Sequence, residues 1–177
     1  LIFVILGRGK SCADYVAAVG WNGFYVITRS TKNFGDVIDW HILLVQIRLL
    51  TKQRVKQGED FASAIEAATS DAMGACADRG RSAPALRYSS FLSCQGRKIA
   101  LPLSDLRTAL RQQRDMLALR ASGARLSAIV AEKDRLVAEA KERRVASTRE
   151  RRAVKAEEKS RMRREAADQR TSAKSEI

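Results

Sequence analysis

After Gly123 the chain runs to Ile177 without a single glycine or proline, and that absence constrains the fold more than any motif does. Glycine and proline are the residues that interrupt helices. A stretch that lacks both and is filled with Ala, Glu, Lys and Arg is expected to continue as one helix. The spacing predicts a long charged helix over 124–170, roughly 70 Å at ~1.5 Å per residue, with 171–177 as a tail. A helix of that length is rare without something lying along its side.

Apolar spacing says where such a partner fits. Leu103, Leu106, Leu110 and Leu117 follow a heptad, but Gln113 and Arg120 interrupt its seam. Leu126, Ile129 and Leu136 restart it around Lys133. Beyond Val137 the sizeable apolar residues are Val145, Val154 and Met162, too far apart to form a seam. Residues 103–138 therefore read as protein-packing, with Leu106, Leu110, Leu117, Leu126, Ile129 and Leu136 as the contacts. Residues 139–170 do not. Local pairs spaced i,i+4 support that part instead: Arg135–Glu139, Glu139–Arg143, Glu157–Arg161, Arg161–Glu165 and Arg164–Asp168, each worth ~0.3 kcal/mol.

A ladder of this kind normally marks a solvated helix, and the angular positions of the charges test that explanation. With Arg144 at zero and ~100° per residue, Lys141, Arg151, Arg152, Lys155, Lys159, Arg163 and Arg170 fall within roughly −20° to +100°. Glu139, Glu150, Glu157, Glu158, Glu165 and Asp168 fall within roughly −140° to −40°. Glu142 is the exception, and Arg143 and Arg161 sit among the acids. Solvation alone does not require this sorting. One face reads as a phosphate-binding stripe, while the other side keeps the helix formed.

Net charge agrees. The chain carries +13, from 33 basic and 20 acidic side chains, and 20 of the basic residues lie in 103–177. Such an excess favours a polyanionic partner. A membrane-surface helix needs bulky apolar residues opposite its cations, and 141–170 lacks them. Base-stacking modules need aromatics, and none occurs after Phe91. Cations without aromatics suit contact with the backbone of a duplex or folded RNA.

The remainder of the chain reads as a small mixed domain over 1–73 joined by a linker over 74–102. Residues 1–6 suggest a buried strand, 11–19 a helix closed by Gly20, and 24–28 a strand behind the Asn22-Gly23 turn. Helices are expected over 36–57, stopped by Gly58, and over 59–73, where Phe61, Ile65, Ala68 and Ala72 trace one face. The order is β-α-β-α-α, with an all-helical arrangement as the alternative. Gly74, Gly80, Pro84, Gly96 and Pro102 mark the linker. It has no acidic residue between Arg79 and Leu103, and Arg79, Arg81, Arg87, Arg97 and Lys98 make it a second candidate for phosphate contact. Its Arg- and Ser-rich composition is also that of a mitochondrial presequence, which would be terminal if translation began at Met73, the first methionine. By position it reads as a basic linker. Helix 103–122 then starts at Ser104 as N-cap, with Asp105 in its first turn and Gly123 as a site for a kink. The expected fold class is thus α-rich α+β: mixed N-terminal domain, extended basic linker and long C-terminal helix.

Catalytic chemistry is hard to place. In ILGRGKS, residues 5–11, a phosphate loop would need its first glycine at position 4, which is Val4. The reading there is strand, tight turn and helix, with Ser11 and Asp14 as a capping pair. His41 is the only histidine and sits in an apolar helix, with Asp36 and Asp39 as charges at that helix start. Cys12, Cys76 and Cys94 have no metal-ligand or disulfide spacing and fit a reducing compartment. Cys94, between Arg87 and Arg97, reads as an inert linker thiol, and Trp21 and Trp40 read as core anchors. No catalytic residue, metal site, cofactor or small-molecule substrate is predicted. The longest apolar run, His41 to Leu50, is broken by Gln46 and Arg48, so no membrane span is expected.

The stretch RQQRDMLALRASGARLSAIVAEKDRLVAEAKERRVASTRERR, residues 111–152, resembles the long charged helix of mitochondrial small-subunit ribosomal proteins. The resemblance extends over 103–170 at most and assigns no residue roles. It implies a non-enzymatic structural component of a mitochondrial ribosome, contacting ribosomal RNA phosphates and neighbouring proteins, with mitochondrial localisation, or else cytoplasmic. The competing expectations are a helical scaffold or assembly subunit that binds protein only, and a small nucleotide-binding enzyme using ILGRGKS.

Overall fold

The computed structural model describes residues 2–6, 13–80 and 83–175, with side chains over 14–80 and 83–162. Five strands form one antiparallel sheet in chain order: β1 Ile2–Leu6, β2 Ala13–Trp21, β3 Phe24–Thr28, β4 Leu86–Cys94 and β5 Arg97–Ala100. Helices α1 Phe34–Lys56 and α2 Phe61–Asp78 are inserted between β3 and β4, and α3 Leu106–Ala121 and α4 Leu126–Ser175 follow β5. The class is mixed α+β with a long C-terminal helix. The element order is β-β-β-α-α-β-β-α-α, which replaces both the expected order and its all-helical alternative.

Two of the strand connections are two-residue turns with positive φ at both positions: Asn22 and Gly23 at 49° and 74°, and Gln95 and Gly96 at 48° and 75°. This geometry matches the right-handed twist of the flanking strands and favours Asn and Gly. Asn22-Gly23 is readable in the sequence. Gln95-Gly96 is hidden, because glutamine is an unusual residue there.

Four expectations are corrected. Residues 13–21 are strand β2, not a helix over 11–19. Ala17, Val19 and Trp21 pack into the core while Val16 and Ala18 are buried on the opposite side, so the strand is apolar on both faces and shows no alternation. Asp14 lies within β2, and its proposed capping partner Ser11 is outside the described residues. The basic linker over 74–102 is also absent as such: α2 continues to Asp78, and β4 and β5 form a hairpin. Tyr88, Ser90, Leu92 and Cys94 are buried, while Arg87 and Ser93 are exposed. Ser90 at an inward position and Ser89, buried on the other face, disguise the period of two. Finally, the N-cap of α3 is Asp105, which accepts from Thr108 N at 2.9 Å, while Ser104 bridges Tyr88 in two 2.9 Å backbone bonds. Gly123, at φ 77°, lies between α3 and α4 rather than inside one kinked helix.

The α1–α2 pair is built closely. Ala64, Ala68 and Ala72 recur every four residues on α2 and are buried, leaving room for α1 to approach. Val37, Trp40, Leu44 and Ile47 fill the other side of that contact and cover the sheet with Phe24, Val26 and Tyr88. Arg54, near the end of α1, reaches Glu59 at 3.0 Å and Asp71 of α2 at 2.7 Å. A second cluster joins the β4–β5 hairpin to the later helices: Leu92, Cys94, Ile99 and Leu101 pack with Met116, Ile129 and Leu136.

The chain divides into two units, Leu1–Leu136 and Val137–Ile177. This differs from the expected cuts at 73, 102 and 122. The first turns of α4 belong to the first unit through Ile129 and Leu136. Residues 171–175, expected as tail, are helical.

Ile129, fully buried, and Val145, 62% exposed, lie on the same helix and test this division. Ile129→Ala is expected to cost about 2–5 kcal/mol in urea unfolding, and Val145→Ala to stay within about 0.5 kcal/mol.

Candidate nucleic-acid interface

Among the described side chains of the second unit none is buried. Over 141–162 every residue is exposed, and this part of α4 is helical throughout. Lys141, Arg144, Arg151, Arg152, Lys155 and Lys159 all lie here. Among the described residues none of the six is ion-paired. Lys141, Arg144 and Arg152 line one shallow strip with Val145, Thr148 and Arg149. Thr148 donates its hydroxyl back to the Arg144 carbonyl at 2.8 Å, so it makes no demand on the cations. Arg163 and Arg170 fall in the helical span, and their side chains are outside the described residues.

The acids behave differently. Glu139 holds Arg143 at 3.3 Å, as the i,i+4 spacing predicts. Nearer the start of α4, Arg135 donates Nε to Glu132 at 2.8 Å, and that bond holds the Glu132 carboxyl below its usual range. Glu150, Glu157 and Glu158 are exposed.

The cations once assigned to a linker separate. Arg79 caps the C-terminal end of α2, and with Arg29, Asp36, Asp39, Trp40 and Cys76 it lines a cavity of about 230 Å³. Arg81 lies outside the described residues. Arg87 is exposed on β4, and Arg97 and Lys98 are exposed on β5, with the Lys98 ammonium 5.6 Å from the Phe91 ring centroid. Arg87, Phe91 and Lys98 share the solvent side of the sheet with Tyr25, an association that sequence reasoning missed. Its signal is the alternation of FYVIT, in which Phe24 and Val26 are buried and Tyr25 is 40% exposed.

The leucines expected to meet a neighbouring protein serve this chain's own core instead. Leu106 and Leu110 pack on the α1–sheet cluster, and Leu126, Ile129 and Leu136 on the hairpin cluster. Leu117 alone of the six is exposed. The free apolar surface lies elsewhere, on the outer side of α1, where Phe34, Ile38, Ile42 and Leu49 are 40–60% exposed.

The groups weighed for chemistry have structural settings. Asp36 accepts from Asn33 Nδ2 at 2.9 Å and Thr31 Oγ1 at 3.4 Å, a network at the start of α1. His41 is half-buried, and burial lowers its pKa below the usual imidazole value. Cys94 is buried in the hairpin cluster, and Trp21 and Trp40 are in the main core. Of ILGRGKS, only Ile5 and Leu6 are described. Leu6 is in register with Ala13 of an antiparallel strand, whereas a phosphate loop opens a helix. No group of three or more metal-ligating side chains, and no helix long and apolar enough to cross a membrane, occurs among the described residues.

No protein family matches the chain, and no curated protein or solved structure does.

Because the six cations hold nothing in the fold, neutralising them should leave it intact. Arg144→Gln, Arg151→Gln and Lys155→Gln together are expected to shift unfolding by no more than about 0.5 kcal/mol. Circular dichroism and urea titration check this.

Proposed function

We propose that this protein is a non-enzymatic, structural RNA-binding component of a large ribonucleoprotein, laying one side of α4 along RNA phosphates. The observation that carries the reading is the set of exposed cations at Lys141, Arg144, Arg151, Arg152, Lys155 and Lys159, with no carboxylate partner among the described residues. Guanidinium and ammonium groups left unpaired along a rigid rod are suited to a repeating anion. Each phosphate they neutralise releases condensed counterions. This part of the helix has no aromatic residue, so the contact would track the backbone without reading sequence. Among assemblies that use such helices, a mitochondrial ribosome is the one suggested by the resemblance of 111–152. The acid-free composition of 79–102 finds a separate account in the β4–β5 hairpin and adds no support for an organelle.

A second reading, a scaffold or assembly subunit that binds protein only, is favoured by the outer side of α1. Phe34 and Leu49, 51% and 60% exposed, are costly to leave in water and would suit a protein neighbour. The two readings use different surfaces and are separable by experiment.

RNA affinity of the full chain, measured against a short RNA duplex over a salt series, decides between them. Binding is expected to weaken steeply with salt. Changing Arg144, Arg151 and Lys155 to Gln is expected to reduce the slope of log K against log salt by about 2–3. Their replacement by Glu should weaken binding further for every RNA sequence. Salt-independent binding, or binding that survives the Glu substitutions, would refute the phosphate stripe, and absence of RNA binding would favour the protein-only reading.

A further inference from the structure

The packed helices lie on one side of the sheet; on the other Val16, Ala18 and Ser89 are buried within the strands, Phe91 is half-buried, and Tyr25, Arg87 and Lys98 are exposed. There Tyr25 of β3 is in register with Gly20 of β2 and Ser89 of β4. Gly20 leaves the strand bare at that point: a Cβ there would lie 2.5 Å from Tyr25 Cε1. The tyrosine ring therefore rests against the β2 backbone while 40% of the residue stays exposed. Phe91, two residues beyond Ser89 on the same face of β4, lies with its ring centroid 5.3 Å from that of Tyr25, tilted by 41°. Lys98 of β5 follows, its ammonium 5.6 Å from the Phe91 ring. Arg87 is exposed on the same face one step in the other direction along β4. β3, β4 and β5 contain no acidic residue.

We propose that the Tyr25–Phe91 pair, flanked by Lys98 and Arg87, is a stacking platform for unpaired nucleobases of single-stranded RNA. A base can stack on an aromatic ring whatever its identity, because every base presents a π-face. Adjacent cations then meet the phosphates that join successive bases, and the acid-free strands β3, β4 and β5 do not repel them. The aromatic pair also contributes cross-strand packing, but packing alone does not require that Tyr25 stay solvent-accessible or that basic residues flank it. The platform rests on the RNA-binding reading above and deepens it. The helix stripe would hold backbone anywhere on an RNA, and the sheet would select segments whose bases are free.

The test uses the full chain with fluorescently labelled oligouridine and, in parallel, an RNA duplex at one salt concentration. Tyr25→Leu with Phe91→Leu keeps the apolar bulk and removes the rings. It is expected to weaken oligouridine binding by about tenfold or more and leave duplex binding unchanged. Tyr25→Phe is expected to bind like the parent. Thermal melting checks that the double variant folds; if it does not, Tyr25→Leu alone carries the same comparison. Undiminished oligouridine binding by the Leu variants, or equal loss for single strand and duplex, would overturn the platform. A parent that binds the duplex but not oligouridine also overturns it and leaves the stripe standing, whereas a parent that binds neither overturns the RNA reading itself.

Discussion

The rest of the structure depends on the pairing of β3 with β4. Phe24 to Thr28 run antiparallel to Ser90 to Leu86, and the ladder extends by one bond beyond the strands, from Arg29 N to Ala85 O at 3.2 Å. Everything between those strands, the whole α1–α2 pair, is a closed loop. Closure unites a hairpin built from the early part of the chain with one built from a later part. It also gives the sheet its two sides. Phe24, Val26 and Tyr88 form a floor for α1 and α2 on one side. On the other, Tyr25 and Arg87 are exposed and Phe91 is half-buried.

Helix α4 combines two kinds of surface in one unbroken backbone. Its first turns obey core rules: Ile129 and Leu136 are buried seven residues apart, on one stripe. Further along, apolar residues are too sparse to make a stripe, and Glu139 pairs with Arg143 at four-residue spacing. The change falls where the chain divides into its two units. A helix that begins inside a packed domain need not nucleate by itself, so its charged part escapes the cost that makes isolated helices marginal in water.

How much of this could be read from residues alone depends on the range of the interactions concerned. α1 and α2 were legible because their determinants are local: an apolar run over 36–57, Gly58 as a stop, and Phe61, Ile65, Ala68 and Ala72 on one face; their N-caps Asn33 and Asp60 were not read. The Asn22-Gly23 turn is local too. β2 was misread because Ala and Val on both faces erase the alternation that distinguishes a strand. β4 was missed because Ser89 and Ser90 are buried by a partner strand far away in sequence, and nothing near them signals that burial. The candidate interface divides in the same way. The charge sorting expected on α4 was argued from helical spacing within one segment. The neighbouring rings of Tyr25 and Phe91 required the β3–β4 register, which no periodicity supplies. The apolar residues of 103–138 were recognised as a packing face but given the wrong partner: Leu106 and Leu110 pack on the α1–sheet cluster, and Leu126, Ile129 and Leu136 on the hairpin mistaken for a linker.

Closing the sheet across α1 and α2 also orders events during synthesis. When β3 leaves the ribosome, the strand that will pair with its free edge has not yet been made. Phe24 and Val26 must wait, exposed or transiently covered by α1, until Leu86–Cys94 follows. During that interval a bare strand edge carrying FYVIT offers its backbone to any other extended chain. Early capture by α1 and α2, whose caps and alanine stripe let them form locally, would shield one side of that edge before its partner arrives. The nascent chain is therefore most vulnerable to misassociation over a defined window of its translation, and the helix pair that separates the two strands is also what makes the window survivable.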